Sequence, residues 1–223
     1  MKLKSNWDLA IFDCDGVLVD SEALTHESLV LALTKLGIEI DIQRAMALFM
    51  GNTLQQSIAE IESLLGAPLP ENFFPEWREL LYEHLRAAPV QAVPGVADLI
   101  DRLDIPYCVV SNGPVRKMQT TLGVTGLLER FEGRIYSSES GLPGKPAPDL
   151  FLAAARDFNA APLRTFVIED SPKGVAAGVA AGMRVFGFAA AEHVDAAELA
   201  DAGATVFHDM RSLPGLLAGE GSE

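Results

Sequence analysis

A chain of 223 residues with 49% apolar content has material for one large domain or for a domain carrying an insertion. Its 17 basic against 31 acidic residues leave a formal charge of −14, which argues against nucleic acid and anionic membrane as partners. A phosphorylated ligand would therefore have to be attracted locally, by a metal or a placed lysine.

The first element predicted is a strand over Leu9–Phe12, a short apolar run of the kind buried on both faces of a sheet. It stops at Asp13 and Asp15, and Gly16 then allows a sharp turn. Two carboxylates so close raise each other's pKa, so either a cation lies between them or one is protonated. An Asx-turn in an ordinary loop is the plainer reading of this stretch alone. From 21 to 87 helical periodicity takes over. Helices are predicted over 21–36 with Ser21 as cap and Gly37 as stop, over 42–49, over 53–65 and over 73–87. Trp77, Leu80, Leu81 and Leu85 share one side of the last. The expected organisation is a core domain of residues 1–20 and 88–223, with a helical module of residues 21–87 inserted after the first strand.

Beyond Pro94-Gly95 strands and helices alternate. A helix over 96–103 leads to an apolar run over 107–110 that ends in Ser111-Asn112-Gly113. A helix over 114–122 starts with Pro114 in its first turn. A strand over 135–137, a loop holding Gly144-Lys145-Pro146 and a helix over 148–158 follow. The apolar run over 166–168 ends in Glu169-Asp170, and Ser171 caps a helix running to 181. Strands over 184–188 and 205–207 flank a helix over 194–202. No apolar stretch approaches the ~20 residues that cross a bilayer. Met1 to Trp7 lacks the apolar run of a secretory signal. Cys14 and Cys108 lie in or beside predicted strands and are read as packing residues of a reducing compartment. A cytoplasmic monomer is expected.

Alternating strands and helices imply an α/β fold, a doubly wound parallel sheet with helices on both faces. In such sheets ligands bind beyond the carboxyl ends of the strands. Three predicted strands end in polar residues: Asp13 and Asp15, then Ser111, then Glu169 and Asp170. If the three are neighbours, four carboxylates and a hydroxyl meet at one edge. That oxygen-rich set suits magnesium, which also bridges to phosphate.

At these residues the chain resembles the haloacid dehalogenase-like superfamily of phosphohydrolases. Asp13-Cys14-Asp15-Gly16-Val17-Leu18 is similar to the first family motif, and Val110-Ser111-Asn112-Gly113 to the second. Lys145-Pro146 followed by Pro148-Asp149 is similar to the third, and Ile168-Glu169-Asp170-Ser171 followed by Gly174 to the fourth. The four occur in order along the whole chain. The helical insert resembles the cap of the subfamily that includes beta-phosphoglucomutase and phosphoglycolate phosphatase, giving a Rossmann-like core with an all-helical cap. The stretch from Val109 to Pro114 with Lys117-Met118-Gln119 is similar to bacterial sugar-phosphate phosphatases, with 6-phosphogluconate among their substrates.

The resemblance implies a magnesium-dependent phosphatase acting on a small phosphorylated metabolite. Asp13 would be the nucleophile that becomes an aspartyl-phosphate. Asp15 would protonate the leaving alkoxide and then accept a proton from the hydrolytic water. Mg2+ would be held by Asp13, the Asp15 backbone carbonyl and Asp170, with Glu169 completing the site directly or through water. Ser111, Asn112 and Lys145 would bind the phosphoryl oxygens. Gly51, at the position of a cap loop, and Asn52 and Thr53 beside it would contact the substrate.

Two rivals are weighed. A mutase of the related subfamily carries an arginine soon after the cap glycine and a histidine in the hinge, where this chain has Leu54 and Thr25, with His26 adjacent. A non-enzymatic phospho-receiver would be shorter and lack the insert. The four histidines, His26, His84, His193 and His208, show no metal spacing.

Overall fold

The first apolar run forms β1 (Leu9–Phe12), with all four residues buried. The computed structural model describes residues 6–49, 54–87 and 90–219. The chain divides into two compact units, Ser21–Val90 and the combination of Met1–Asp20 with Gln91–Glu223.

In the two-segment unit, β1 is followed by the short β2 (Val19–Asp20). The chain departs into the helical unit through α1 (Glu22–Lys35), α2 (Ile42–Phe49), α3 (Leu54–Leu65) and α4 (Phe73–Ala87). It re-enters at β3 (Gln91–Ala92), which pairs antiparallel with β2. Then come α5 (Val96–Arg102), β4 (Tyr107–Ser111), α6 (Val115–Val124), β5 (Ile135–Ser137) and α7 (Asp149–Asp157). The last stretch holds β6 (Thr165–Glu169), α8 (Pro172–Ala180), β7 (Arg184–Phe188), α9 (Ala196–Asp201), β8 (Thr205–Phe207) and α10 (Leu213–Gly219).

Six strands make one parallel sheet in the order β5-β4-β1-β6-β7-β8. Chain progression runs outward from β1 to β4 and β5, then returns to the other side for β6, β7 and β8. The direction of winding thus reverses at β1, and the carboxyl end of that strand opens onto the crevice where α/β sheets hold ligands. Successive residues of a strand face opposite ways. Ile11, aligned with Cys108 on one side and Val167 on the other, shares a buried cluster with Leu9, Val110, Val185, Leu150 and Phe151. On the opposite face Phe12 meets Tyr107 and Phe131 edge-on, and Phe166 meets Trp7 and Phe186. A central strand covered on both faces must be apolar throughout, as the continuous run predicted.

The helical unit has its own core of Leu29, Ala32, Leu33, Ile38, Ala45, Phe49, Ile61 and Phe73, with Leu80 and the partly buried Trp77 packed against it. Trp77 Nε1 donates to the Ser28 hydroxyl at 3.0 Å, so the indole buries its ring without orphaning its polar edge. The buried residues of α1 are Ser28, Leu29, Ala32 and Leu33, and Leu36 lies just beyond the helix as its C-cap.

Three local readings change. Ser21 precedes α1 but makes no side-chain capping bond; at ψ 0° its carbonyl instead accepts the Thr25 amide and hydroxyl. Pro114 stands before α6 as its N-cap, not inside its first turn. The strands β2 and β3 and the terminal helix α10 had no sequence signal strong enough to read. Ser171 caps α8 as expected, accepting from the Gly174 amide at 3.1 Å. Among the described residues no helix is long and apolar enough to cross a membrane.

Candidate active site

The three strands that end in polar residues are neighbours: β4 and β6 flank β1, with Phe12 aligned to Val109 on one side and Ile168 on the other. One step beyond that register lie Asp13, Val110 with Ser111, and Glu169 with Asp170. The loop after β5 contributes Lys145 to the same edge. The edge at which these sequence-predicted residues were expected therefore exists.

Lys145 is at its centre. The side chain is 4% exposed, and its ammonium donates to Asp13 Oδ1 at 2.5 Å, to the Val110 carbonyl at 2.8 Å and to Glu169 Oε1. Its Nζ also lies 5.2 Å from the centre of the Phe151 ring. Burial works against the ammonium, but Asp13 and Glu169 overcome it and hold its pKa above the ordinary lysine range. Burial pushes the Asp13 carboxyl up to about 7; Lys145 opposes that push, while Glu169 and Asp15 add to it.

Asp13, Glu169 and Asp170 each offer a carboxylate oxygen within 4.8 Å of the others. Three hard oxygen donors clustered so tightly fit a small divalent cation of the magnesium kind better than a soft metal. Within the set the three are not equivalent. Glu169 is fully buried, and both its oxygens have protein partners: Oε1 takes Lys145, and Oε2 takes the Ser171 hydroxyl at 3.0 Å and the Ser171 amide at 3.4 Å. Gly174 is required beneath it, because a Cβ there would lie 2.0 Å from the Glu169 carboxyl carbon. Gly16 has the same relation to Asp170. Its φ of +76° suits glycine alone, and a Cβ would fall 1.7 Å from Asp170 Oδ2.

Ser111 is buried, and its Oγ accepts the Gly113 amide at 3.0 Å, which leaves the hydroxyl hydrogen to be donated elsewhere. The Asn112 side chain is engaged with the lysine loop. Its amide Nδ2 donates to the Lys145 carbonyl at 2.9 Å and its Oδ1 accepts the Lys145 amide at 2.7 Å, so the side chain is engaged in fixing the lysine backbone. Gly51, Asn52 and Thr53 lie outside the described residues.

Sequence reasoning missed two partners. Ser171 was read as a helix cap and as part of a family motif, yet it also donates to Glu169. Lys117 figured only within a family resemblance, yet its Nζ bonds Asp15 Oδ2 at 2.9 Å across 102 residues of chain. Its position in the first turn of α6, where a cation opposes the helix dipole, was the available signal.

The arrangement can do the following. It offers a carboxylate against a fixed ammonium, a second carboxyl two residues on, a buried hydroxyl donor and an oxygen-rich cluster that could hold a cation. Cys14, between the aspartates, is no competing nucleophile: burial drives its thiol well above the ordinary range.

The comparisons agree with this geometry. Residues 7–182 match the family model of haloacid dehalogenase-like hydrolases. The chain is 31% identical over 189 residues to a 6-phosphogluconate phosphatase of Escherichia coli, covering 85% of this chain and 86% of that protein. A hexitol phosphatase A of Escherichia coli is 28% identical over 183 residues, covering 78% and 80%. Among solved structures, a haloacid dehalogenase-like protein of unknown function from Agrobacterium tumefaciens is 36% identical with a TM-score of 0.81, covering 96% of this chain and 99% of that one. A HAD family hydrolase from Deinococcus radiodurans, solved with bound phosphate and sodium, is 31% identical with a TM-score of 0.79, covering 98% of each chain.

Proposed function

The chain belongs to the haloacid dehalogenase-like hydrolase family, and on that premise we propose that it is a magnesium-dependent phosphatase of a small phosphorylated sugar or sugar acid. The observation that carries the reading is the buried lysine held between Asp13 and Glu169, with Asp170 beside them. An anionic protein needs local positive charge to admit a phosphoryl group, and this site supplies it. The phosphatases acting on phosphorylated sugars and polyols among the relatives, and the phosphate held by the Deinococcus hydrolase, support the substrate class.

In the proposed mechanism an Asp13 oxygen attacks phosphorus while the bond to the substrate oxygen breaks. Asp15 delivers its proton to that departing oxygen, giving a free alcohol and an Asp13 acyl phosphate. Asp15, now a carboxylate, takes a proton from water as the water attacks the acyl phosphate, releasing phosphate and regenerating Asp13. Lys145 and the Ser111 hydroxyl bind the phosphoryl oxygens as charge shifts onto them. Magnesium, when bound, would be held by Asp13, Asp170 and the Asp15 carbonyl and would offset the repulsion between nucleophile and substrate. Glu169, with both oxygens already engaged, acts through Lys145 or through water. Gly51, Asn52 and Thr53 are proposed, on the family resemblance, to contact the part of the substrate beyond the phosphoryl group.

The test is phosphate release from a panel of phosphorylated metabolites, with magnesium and with EDTA, alongside analysis of the organic product. Phosphate release that EDTA abolishes and magnesium restores is expected. Isomerised sugar phosphate without net phosphate release, or a single stable phosphorylation without turnover, overturns the phosphatase reading.

A further inference from the structure

Asp15 would have to present its carboxyl to the leaving oxygen in one step and to water in the next, so the position of that carboxyl matters twice. We infer that Lys117 is the positioning residue that sets it, and that this lysine selects for substrates with poor leaving groups, such as sugar alcohols. The inference rests on the acid–base reading of Asp15.

Three observations carry it. The first is the contact: the Lys117 ammonium lies 2.9 Å from Asp15 Oδ2, with the two side chains only 15% and 22% exposed. The pair is shielded enough for its geometry to persist, unlike an ion pair on the open surface. The second is the rigidity of the base on which the lysine stands. Lys117 is the third residue of α6, and one turn on Thr121 is fully buried, with its hydroxyl 3.9 Å from the Cys14 sulfur. Cys14 is the residue between Asp13 and Asp15, so helix and aspartate loop touch at two points. The third is electrostatic. Arg116 and Lys117 occupy the first turn of α6, where the helix dipole disfavours cations and where α6 has no acidic residue of its own. Helix stability does not account for a lysine there; the Asp15 side chain that it bonds does. Gly113 lies alongside: a side chain there would come within 3.3 Å of the Ser111 hydroxyl and 4.0 Å of both Asp15 Oδ2 and Lys117 Cδ. The ion pair is therefore next to the hydroxyl proposed to bind the phosphoryl group.

Holding one oxygen of Asp15 leaves the carboxyl a single orientation. Without Lys117 that oxygen loses the contact that fixes it, and the proton is delivered from a wider set of positions. A p-nitrophenolate leaving group departs without a proton and does not notice the loss; an alkoxide does.

The experiment compares the wild type with Lys117→Met and Lys117→Arg at saturating magnesium. Release of the alcohol or phenol in the first turnover is followed for an alkyl sugar phosphate and for p-nitrophenyl phosphate, and urea midpoints are recorded. In Lys117→Met, alcohol release from the sugar phosphate should fall about 10²-fold, the scale of a general-acid contribution. The first release of p-nitrophenolate should change less than about threefold. The aryl substrate should then show a burst followed by slow turnover, because water attack still needs Asp15. Lys117→Arg should recover most of the loss. Added to Asp15→Asn, Lys117→Met should cost nothing further. Equal losses on both substrates, no loss on either, or a further loss in the Asp15→Asn background overturns the inference. If Asp15→Asn itself spares turnover, the acid–base reading fails, and that outcome is distinct from a silent Lys117→Met beside a damaged Asp15→Asn.

Discussion

Lys145→Met removes the ammonium bonded to both Asp13 and Glu169 while keeping the length of the aliphatic stem. Three carboxylates within 4.8 Å then face one another, one of them fully buried. Breaking a buried pair by deleting one partner typically costs about 3–5 kcal/mol, because the survivor keeps its desolvation penalty and loses its compensation. Spread over an urea slope of about 2 kcal/mol/M, that is a fall in midpoint of roughly 1.5–2.5 M. The assay is urea unfolding of both proteins in chelator at pH 7.5, followed by circular dichroism. Two companions sharpen it. Added divalent cation should return part of the loss, since it supplies the missing positive charge. The double variant Lys145→Met/Glu169→Gln should be more stable than Lys145→Met alone, because a neutral amide can be buried with the Ser171 hydroxyl as partner. If Lys145→Met unfolds within about 0.3 M of the wild type, well inside the shift expected from these magnitudes, Lys145 is not compensating the cluster and the electrostatic account is wrong.

Asp13→Asn should abolish turnover and covalent phosphorylation while leaving the protein at least as stable in chelator, checked by phosphate release and thermal melting. In the metal-free protein, raising the pH from about 5 to about 7.5 should lower the urea midpoint. Asp13 holds its proton up to about 7 when folded but only to near 4 when unfolded, so the folded state is the more protonated across that window. Asp13→Asn should lose this component of the slope, and a slope unchanged by the substitution would refute the assignment. Gly174→Ala should depress kcat on every substrate and lower the melting temperature, since its methyl group collides with the Glu169 carboxyl. Asn52→Ala or Thr53→Ala should reorder preference among sugar phosphates and leave p-nitrophenyl phosphate hydrolysis nearly intact; equal losses on both would end the specificity proposal for that segment.

The sheet was legible because its central strands are buried on both faces and so read as unbroken apolar runs, with polar residues only where each strand leaves the sheet. Asp13 and Glu169 could be nominated for the same reason: a charged residue at the end of a fully apolar strand needs a cause. Lys145, in a loop, came only with the family resemblance. The short pair of β2 and β3 was illegible because two residues carry no periodicity, and α10 because Leu213, Pro214 and Gly215 argue against a helix that packing nevertheless imposes. The duties of Asn112 and Ser171 were missed because their partners, the Lys145 backbone and Glu169, are set by loop geometry that no local pattern encodes. Lys117 was hidden by distance, since nothing near it in sequence announces Asp15.

The strand order also bears on how the chain is made. β1 leaves the ribosome before the partners for its two edges, β4 and β6. Lys145 follows Asp13 by 132 residues, which at roughly 5–20 residues per second is about 7–26 s of synthesis. Throughout that interval Leu9–Phe12 is an apolar strand with at least one unpaired edge, the kind of segment that recruits other chains. A nascent chain ending before Thr165 can cover one side of β1 with β4 and never the other. The early aspartates, proposed to be catalytic, thus lack Lys145 and Glu169 until the late segments arrive, and termination between β4 and β6 leaves one edge of β1 uncovered.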